Sequence, residues 1–424
     1  MKEQAVIEQS FAHSVDWKLD GDFVLNEALR ANALTYLSEN AFPTTRTEAW
    51  KYTRVTKIKN NSLQIASAAP IAELTPIDKE AIALVFVNGH FDATRSAATF
   101  PAGMKVIPLS QMDEAERNVL GEIDAQKTDL FNAINTAYAT DGVYIHVSAR
   151  MQIAPTIAIT HISTGNHVLV NLRHIIHLEK FAELNIIQHN TTDSGENAFS
   201  NIINQVYVGE NARLTIDKLQ NENEHAFHHA TEFINQQKDS VFTINTITLN
   251  GGWVRNNLNC FVNGVNCETN LNGAYVLTGN QHVDNHTVVD HMVAHCNSNE
   301  LYKGVIDGKA TAVFNGKVFV RKDAQKINAF QSNGNVLMSL DASVNSKPEL
   351  EIYADDVKCS HGSTTGQLDE EAVFYLRARG LSEASARQLM VGAFINDVFE
   401  KIENEAVVAW IHTEINKRFN WSFE

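Results

Sequence analysis

Hydrophobic and polar residues follow two different periods along this chain. From about Phe23 to Ala41, apolar side chains recur at three- and four-residue spacing, which predicts an N-terminal helix that ends before Pro43. From about Ile153 to Tyr353, apolar residues alternate with polar ones, as in β-strands. The alternating positions include Val168, Val170 and Leu172, Leu184 and Ile186, Val206 and Val208, Leu214 and Ile216, and Phe242 and Ile244. The chain is therefore predicted to be mainly β, with few helices inside the alternating region.

Similar strand openings recur within this alternating region. They begin at Phe181, Asn211, Asp239 and Asn266, a loose period of roughly 27 to 30 residues. Asn-Gly and Asp-Gly pairs, which favour tight turns, lie at 250–251, 263–264, 272–273, 307–308, 315–316 and 333–334. The period and the polar turns favour a β-helix of stacked coils, and a meander of Asn-Gly hairpins is the alternative.

The C-terminal segment returns to the helical period. Asp369 is predicted to cap a first helix that ends before Gly380, and Ser382 is predicted to cap a second. One face of the second helix carries Met390, Phe394, Val398 and Ile402, and a third helix follows with Val407, Val408, Ile411, Ile415 and Phe419. These helices are predicted to form a small bundle whose apolar stripes pack mainly inside it, and any unused stripe is available to a partner.

Composition excludes several classes of function. The formal net charge is -16, which disfavours nucleic-acid binding because that needs a surplus of Lys and Arg. The first 22 residues contain no apolar export segment, and no apolar run is long enough to cross a bilayer. We therefore expect a cytoplasmic protein that does not enter a membrane. The four cysteines form no CxxC pair and are expected to be reduced thiols, most simply small buried hydrophobes.

Common catalytic motifs are absent from the sequence. It contains no GxGxxG, GxSxG or HExxH motif. The segment Gly304–Thr311 resembles a phosphate loop but is one residue short and lies among strands, so we interpret it as a turn and expect no nucleotide site. A polysaccharide-acting β-helix enzyme would need a groove lined by carboxylates or basic residues and usually a secretion signal, and neither is visible.

Potential metal ligands are densest between His282 and Cys296. On a strand, His282, Asp284 and His286 would share one face, and His291 and His295 would share one, so that some of them could converge on a metal. Histidines that stack in structural ladders are the alternative. The pair at 228–229 is predicted to lie on the surface.

A second cluster precedes the C-terminal helices. Cys359 and His361 are one residue apart, so in an extended segment both point to the same side and could bind a metal such as iron. The alternative is a turn that leads into a helix, with Gly362 required for its backbone geometry.

These residues carry a family resemblance. The segment ADDVKCSHGSTTGQLDEEAVFYLRARGL, 354–381, resembles the hallmark of the SufB/SufD family, specifically its SufD branch. The upstream segments HCNSNELYKGVIDGKATAVFNGKVFV, DAQKINAFQSN and KPELEIYADD continue the match, and FPTTRTEAWKYT, 42–53, resembles the family's N-terminal element. The resemblance implies a right-handed parallel β-helix between an N-terminal α/β region and a C-terminal α-helical domain. The expected boundaries are 1–150, 151–360 and 361–424.

The resemblance also implies a function in iron-sulfur cluster assembly. The chain would be a non-catalytic scaffold subunit that pairs with a SufB-like sister and binds a SufC-like ABC ATPase, which supplies the ATPase activity. The sister would pair by edge addition at the end of the β-helix, for which the candidates are Val336, Met338, Ile352, Cys359 and His361. The ATPase would dock on the C-terminal helices, for which the candidates are Phe374, Leu376, Met390, Phe394 and Val398.

In this picture a transient iron-sulfur cluster is shared with the sister subunit. The resemblance implies that His361 is a cluster ligand and that Cys359 is its neighbour. The isolated chain is expected to be able to form a homodimer in place of the heterodimer. A scaffold or ATPase-regulating subunit that binds no iron is the alternative.

Overall fold

The computed structural model describes residues 10–19, 23–65, 67–113, 117 and 129–419. Its α-helices are α1 (Phe11–Ser14), α2 (Glu27–Glu39), α3 (Thr56–Lys59), α4 (Leu130–Ala137), α5 (Glu370–Ala378), α6 (Glu383–Phe399) and α7 (Glu405–Phe419), with 3-10 turns at Glu48–Trp50 and Leu109–Gln111. Its strands are β1 (Gln64–Ile65), β2 (Ile82–Val87), β3 (His90–Phe91), β4 (Met104–Pro108), β5 (Val143–Val147), β6 (Ile157–Thr164), β7 (Val168–Leu178), β8 (Glu183–Ser194), β9 (Phe199–Val208), β10 (Arg213–Asn221), β11 (Phe227–Gln236), β12 (Val241–Asn250), β13 (Trp253–Val262), β14 (Glu268–Leu277), β15 (His282–His291), β16 (Asn297–Ile306), β17 (Thr311–Val320), β18 (Ile327–Leu337), β19 (Ser343–Ile352) and β20 (Val357–Gly366).

The strands from β5 onward build a parallel β-helix. Each pairs in parallel with the strand two places further along the chain, so that the odd strands β5 to β19 form one sheet and the even strands β6 to β20 form the other. Successive coils therefore stack, and the two sheets enclose a lumen filled mainly by aliphatic side chains. The predicted mainly β fold class is confirmed, with a solenoid of about eight turns between N- and C-terminal helices. The alternative of a hairpin meander is wrong, because these strands pair in parallel.

The predicted repeat marks one corner of each coil. Phe181, Asn211, Asp239 and Asn266 all have left-handed backbone conformations, with φ between 57° and 60°. In the following coils, His295 and Lys326 occupy the same corner position. Asn and Asp tolerate this conformation better than most residues, which explains the polar corner positions. The residue after each corner turns into the lumen and is small and buried in five coils: Ala182, Ala212, Ser240, Cys267 and Cys296.

The prediction of a turn is wrong for three of the six Asn-Gly and Asp-Gly pairs. The pairs at 250–251, 263–264 and 307–308 lie at coil corners, but those at 272–273, 315–316 and 333–334 lie inside β14, β17 and β18. Their glycines meet a different requirement, which is space inside the coil. A Cβ atom on Gly273 would lie 2.2 Å from the Tyr302 ring, and one on Gly316 would lie 2.8 Å from the Phe314 ring. Glycine within a strand here allows close packing of an aromatic ring.

The N-terminal region covers the outer face of the odd-numbered sheet. The predicted helix is α2, four residues shorter at its start than expected and capped by the Asn26 side chain. The segment 42–53 places Trp50 against Phe131 and Trp253, in one apolar cluster with Phe199 and Phe227 of the sheet. The absence of an export segment was predicted for residues 1–22, most of which lie outside the described residues.

The C-terminal helices begin where the sequence predicted them. The Asp369 side chain accepts hydrogen bonds from the backbone of α5, and the Ser382 side chain caps α6. Their apolar stripes, however, do not pack mainly among themselves: Val391, Ile395 and Val398 bury against the even-numbered sheet, beside Leu219, Ile247 and Val276. The prediction of a self-contained bundle is wrong because the outer face of this sheet is itself apolar and needs a cover. Within the described ranges, no helix is long and apolar enough to cross a membrane.

Candidate functional site

The β-helix ends in a coil that has no further coil stacked on it. Strands β19 and β20 are the last members of their sheets, and each pairs on one side only. The outward edge of each therefore presents unpaired backbone N–H and C=O groups. Such an edge can accept another strand, which makes this end of the molecule suited to binding a partner chain.

Cys359 and His361 both lie on β20 and face the lumen of this last coil. Cys359 pairs in register with Ala329, a buried lumen residue, and packs partly against the lumen core. His361 pairs with Gln331, which is also buried, whereas His361 itself is exposed. The two side chains therefore share a face, with the thiol further inside the lumen and the imidazole at its open end. We call this end of the lumen, at β19 and β20, the mouth. The alternative of a turn at this position is wrong.

The chemistry of this mouth suits a metal that has both nitrogen and sulfur ligands. Burial raises the pKa of the Cys359 thiol, so the thiolate needs a metal or another cation to stabilise it. Lys358, which directly precedes Cys359, lies on the opposite, exposed face and cannot serve that purpose from within the lumen. Imidazole and thiolate are both ligands for iron, and two ligands from this chain leave coordination positions for a second chain.

A polar column lies beneath His361, and sequence reasoning missed it. Glu300 pairs in register with Gln331, and Gln331 pairs with His361, so the three stack in successive coils on the lumen face. Glu300 and Gln331 are 3% and 4% exposed. Burial raises the pKa of Glu300 to about 7, opposed by the hydrogen bond from the Thr287 hydroxyl. The signal was present in the sequence, since each member follows its coil corner at the same interval.

The predicted cluster from His282 to Cys296 is divided among separate environments. His282, Asp284 and His286 do share the outer face of β15, as predicted, but they lie beneath the N-terminal region. There the Thr53 hydroxyl donates to Asp284 at 2.5 Å, and Arg255 donates to the same carboxylate at 2.6 Å. Arg255 and His286 hold the pKa of Asp284 well below its usual range, although burial alone would raise it.

The other members of that cluster point elsewhere. His291 is buried in the lumen, 2.9 Å from the Ser298 hydroxyl, whereas His295 lies exposed at a coil corner, so the prediction that they share a face is wrong. Among the described residues, no group of three or more His, Cys, Asp or Glu side chains could hold a metal ion. These contacts support the structural interpretation of the cluster.

The prediction that residues 228–229 lie on the surface is wrong. His228 is buried, 2.7 Å from the Glu222 carboxylate. His229 is also buried and stacks on Phe131 at 4.5 Å between ring centroids. The N-terminal region covers His229, and burial lowers the pKa of His229 well below its usual value.

The other predicted interface residues differ in exposure. At the last coil, Ile352 is 40% exposed, next to Tyr353 at 58%, whereas Val336 and Met338 are partly buried against the C-terminal helices. Among the helical candidates, only Phe374 is largely exposed, at 71%.

The remaining helical candidates are less accessible. Leu376, Met390 and Phe394 are partly buried, and Val398 is fully buried against the β-helix. Val398 could reach a partner only if α6 left the sheet, and it is not part of the surface that we propose below.

Comparison with known proteins identifies the family. The family model described as "SUF system FeS cluster assembly, SufBD core domain" matches residues 161–394, and "SufBD protein N-terminal region" matches 18–159. The chain belongs to the SufBD family. The predicted family resemblance is thereby confirmed. As a member of this family, the chain is an iron-sulfur cluster assembly protein.

Curated relatives align over nearly the whole chain. The "iron-sulfur cluster assembly protein SufD" of Escherichia coli strain K12 is 32% identical over 396 residues, 91% of either protein. A SufBD family protein of Synechocystis is 32% identical and covers 88% of this chain and 86% of its own length. A chloroplastic relative from Arabidopsis thaliana is 26% identical over 90% of this chain and 83% of its own length. The core-domain match begins within β6 and continues beyond β20, so it includes His361.

Proposed function

We propose that this chain is the SufD-type subunit of a SufBCD-like scaffold, in which His361 is a ligand of the nascent iron-sulfur cluster. The observation that carries the proposal is the position of His361 and Cys359 at the open mouth of a β-helix whose last strands have free edges. The cluster is cargo that the complex builds and passes on. The subunit itself is a non-catalytic, cytoplasmic scaffold.

Pairing with a SufB-like sister completes the site in this proposal. Edge addition at β19 and β20 would satisfy the unpaired backbone groups and cover the exposed side chains of Ile352 and Tyr353. It would also bring the sister's ligands to the mouth where His361 and Cys359 already lie. The same free edges would let the isolated chain pair with a second copy of itself.

The exposed aromatic face of α5 suits a SufC-like ATPase. Phe374 and Tyr375 are 71% and 57% exposed on this helix, and Leu389 of the neighbouring α6 is 51% exposed. Aromatic side chains of this kind are common anchors of protein interfaces. ATP-driven movement of the ATPase subunits would then act on α5 and, through it, on α6, which packs on the same β-helix that presents His361.

Co-purification with tagged SufB-like and SufC-like partners tests the assembly. We expect the wild-type chain to retain both partners. Phe374→Ser combined with Tyr375→Ser should lower retention of the ATPase at least about tenfold, because it removes two anchors. Retention of the sister subunit should not change, because it binds at the other surface.

A matched control uses two hydrophobic residues of similar type elsewhere on the surface. Leu34→Ser combined with Tyr52→Ser alters side chains that are 39% and 42% exposed in the N-terminal region, and both partners should still bind. Failure of the wild-type chain to retain either partner would refute the proposed function. Normal ATPase retention by the Phe374 and Tyr375 variant would refute this docking surface.

A further inference from the structure

We propose that Gln331 is a positioning residue for His361 and that Glu300 anchors it, an inference that rests on the proposed function. When one imidazole nitrogen binds a metal, the other carries a proton and needs an acceptor. The Gln331 amide oxygen is placed to be that acceptor. The Gln331 NH₂ group then donates to Glu300, so that a single chain of hydrogen bonds leads from the buried carboxylate to the cluster ligand.

The register of the last three coils places these side chains in one column. Glu300, Gln331 and His361 are direct partners in the ladders β16–β18 and β18–β20. Parallel strands lie about 4.8 Å apart, and paired residues point to the same side. Gln331 points into the lumen, because a Cβ atom on Gly316 of the opposite sheet would lie 3.0 Å from its Nε2 atom.

Three unpartnered atoms in this column match the proposed chain. Among the described residues, Glu300 Oε1, Gln331 Nε2 and Gln331 Oε1 have no hydrogen-bond partner, although both residues are buried. Glu300 Oε2 is already held by the Thr287 hydroxyl at 2.8 Å, which fixes the carboxylate. A buried polar atom without a partner is costly, so each of the three atoms has a reason to form the bond that the chain assigns to it.

The column changes from apolar to polar side chains toward the open end of the lumen. Below Glu300, the same column continues with Leu271 and Ile244, which are apolar and buried. The polar residues thus begin two coils below the mouth and end at His361. Packing alone does not require this change from apolar to polar side chains.

The test compares variants at position 331 in the assembled complex loaded with cluster. Gln331→Leu keeps the volume but removes the acceptor, and iron loss to bathophenanthroline disulfonate should be about 10–100-fold faster than in the wild type. Gln331→Glu keeps the acceptor, and one proton shared with the Glu300 carboxyl group replaces the lost amide donor, so its rate should return to within about threefold of the wild type. Both variants should assemble with their partners as the wild type does.

A second measurement separates positioning from packing. In the metal-free chain, the ¹⁵N shifts of the His361 ring report which nitrogen carries the proton, and His361→Ala assigns the signals. We expect one tautomer in the wild type and in Gln331→Glu, and a mixture in Gln331→Leu. Equal rates of iron loss in Gln331→Leu and wild type would overturn the inference, and so would a faster rate with an unchanged tautomer.

The inference and the proposed function fail in different ways. If His361→Ala keeps its iron and sulfide, the proposed ligand is wrong, whatever the variants at position 331 do. If His361→Ala loses them and Gln331→Leu behaves as the wild type, only the positioning role is wrong.

Discussion

Replacing Lys218 by methionine will lower the free energy of unfolding by about 3–5 kcal/mol. Lys218 lies in the lumen, where its Nζ donates to Glu232 at 2.7 Å and to Asn256 at 2.9 Å. The side chains of Lys218 and Glu232 are 1% and 2% exposed. The variant leaves the Glu232 carboxylate buried, with Asn204 as its remaining donor at 3.2 Å. A buried charge that has lost its partner is strongly destabilising, whereas the intact pair contributes little net stability.

A double variant distinguishes the lost partner from the altered packing. Lys218→Met combined with Glu232→Gln removes both charges, and we expect most of the lost stability to return. Urea-induced unfolding followed by circular dichroism measures both variants. A Lys218→Met protein as stable as the wild type, or a double variant no better than the single one, would contradict this account of the lumen.

Replacing Trp50 by alanine will destabilise the protein by about 3–5 kcal/mol and detach the N-terminal region from the sheet. The indole is 6% exposed, with its centroid 5.2 Å from that of Phe131 and 6.4 Å from that of Trp253. The Arg255 guanidinium also contacts the Trp50 ring, at 3.8 Å from the indole centroid. Desolvated cation–π contacts of this kind contribute about 2 kcal/mol.

Hydrogen exchange shows whether this loss is local. We expect faster exchange in 42–53 and on the outer faces of β11 and β13, with little change at β19 and β20. Tyr52→Ala is the matched control: this side chain is 42% exposed, and its loss should change stability by less than about 1 kcal/mol. Unchanged exchange in 42–53 of the Trp50→Ala protein would show that other contacts hold this region in place.

The coil repeat could be predicted from the sequence because its corners have their own chemistry. Asn211, Asp239 and Asn266 mark the corners, and the alternation between them identifies the residues that face inward. The Asp369 and Ser382 caps were predictable for the same reason, since capping depends on residues within one turn of the helix.

Contacts between distant segments could not be predicted in this way. His228 and His229 look like surface residues until Glu222 and the N-terminal region cover them. Lys218 has the same parity as Ile216 and so should face the lumen, but its charge argues for the surface, and only the Glu232 partner on the opposite sheet resolves the conflict.

The position of His361 combines both kinds of information. Its spacing from Cys359 predicted a shared face, and the strand β20 provides it. Predicting the free edge of the last coil and the column through Gln331 would have required the register between coils, which a single sequence does not contain.

The central claim is that His361 is a ligand of the nascent cluster, and bound iron and sulfide test it most directly. The complex would be purified anaerobically with wild-type protein, with His361→Ala and with His295→Ala, in which an exposed corner histidine serves as the control. We expect all three complexes to assemble, and only His361→Ala to lose its iron and sulfide. Unchanged iron and sulfide in His361→Ala would contradict the claim and would identify the chain as a scaffold or ATPase adaptor without an iron ligand.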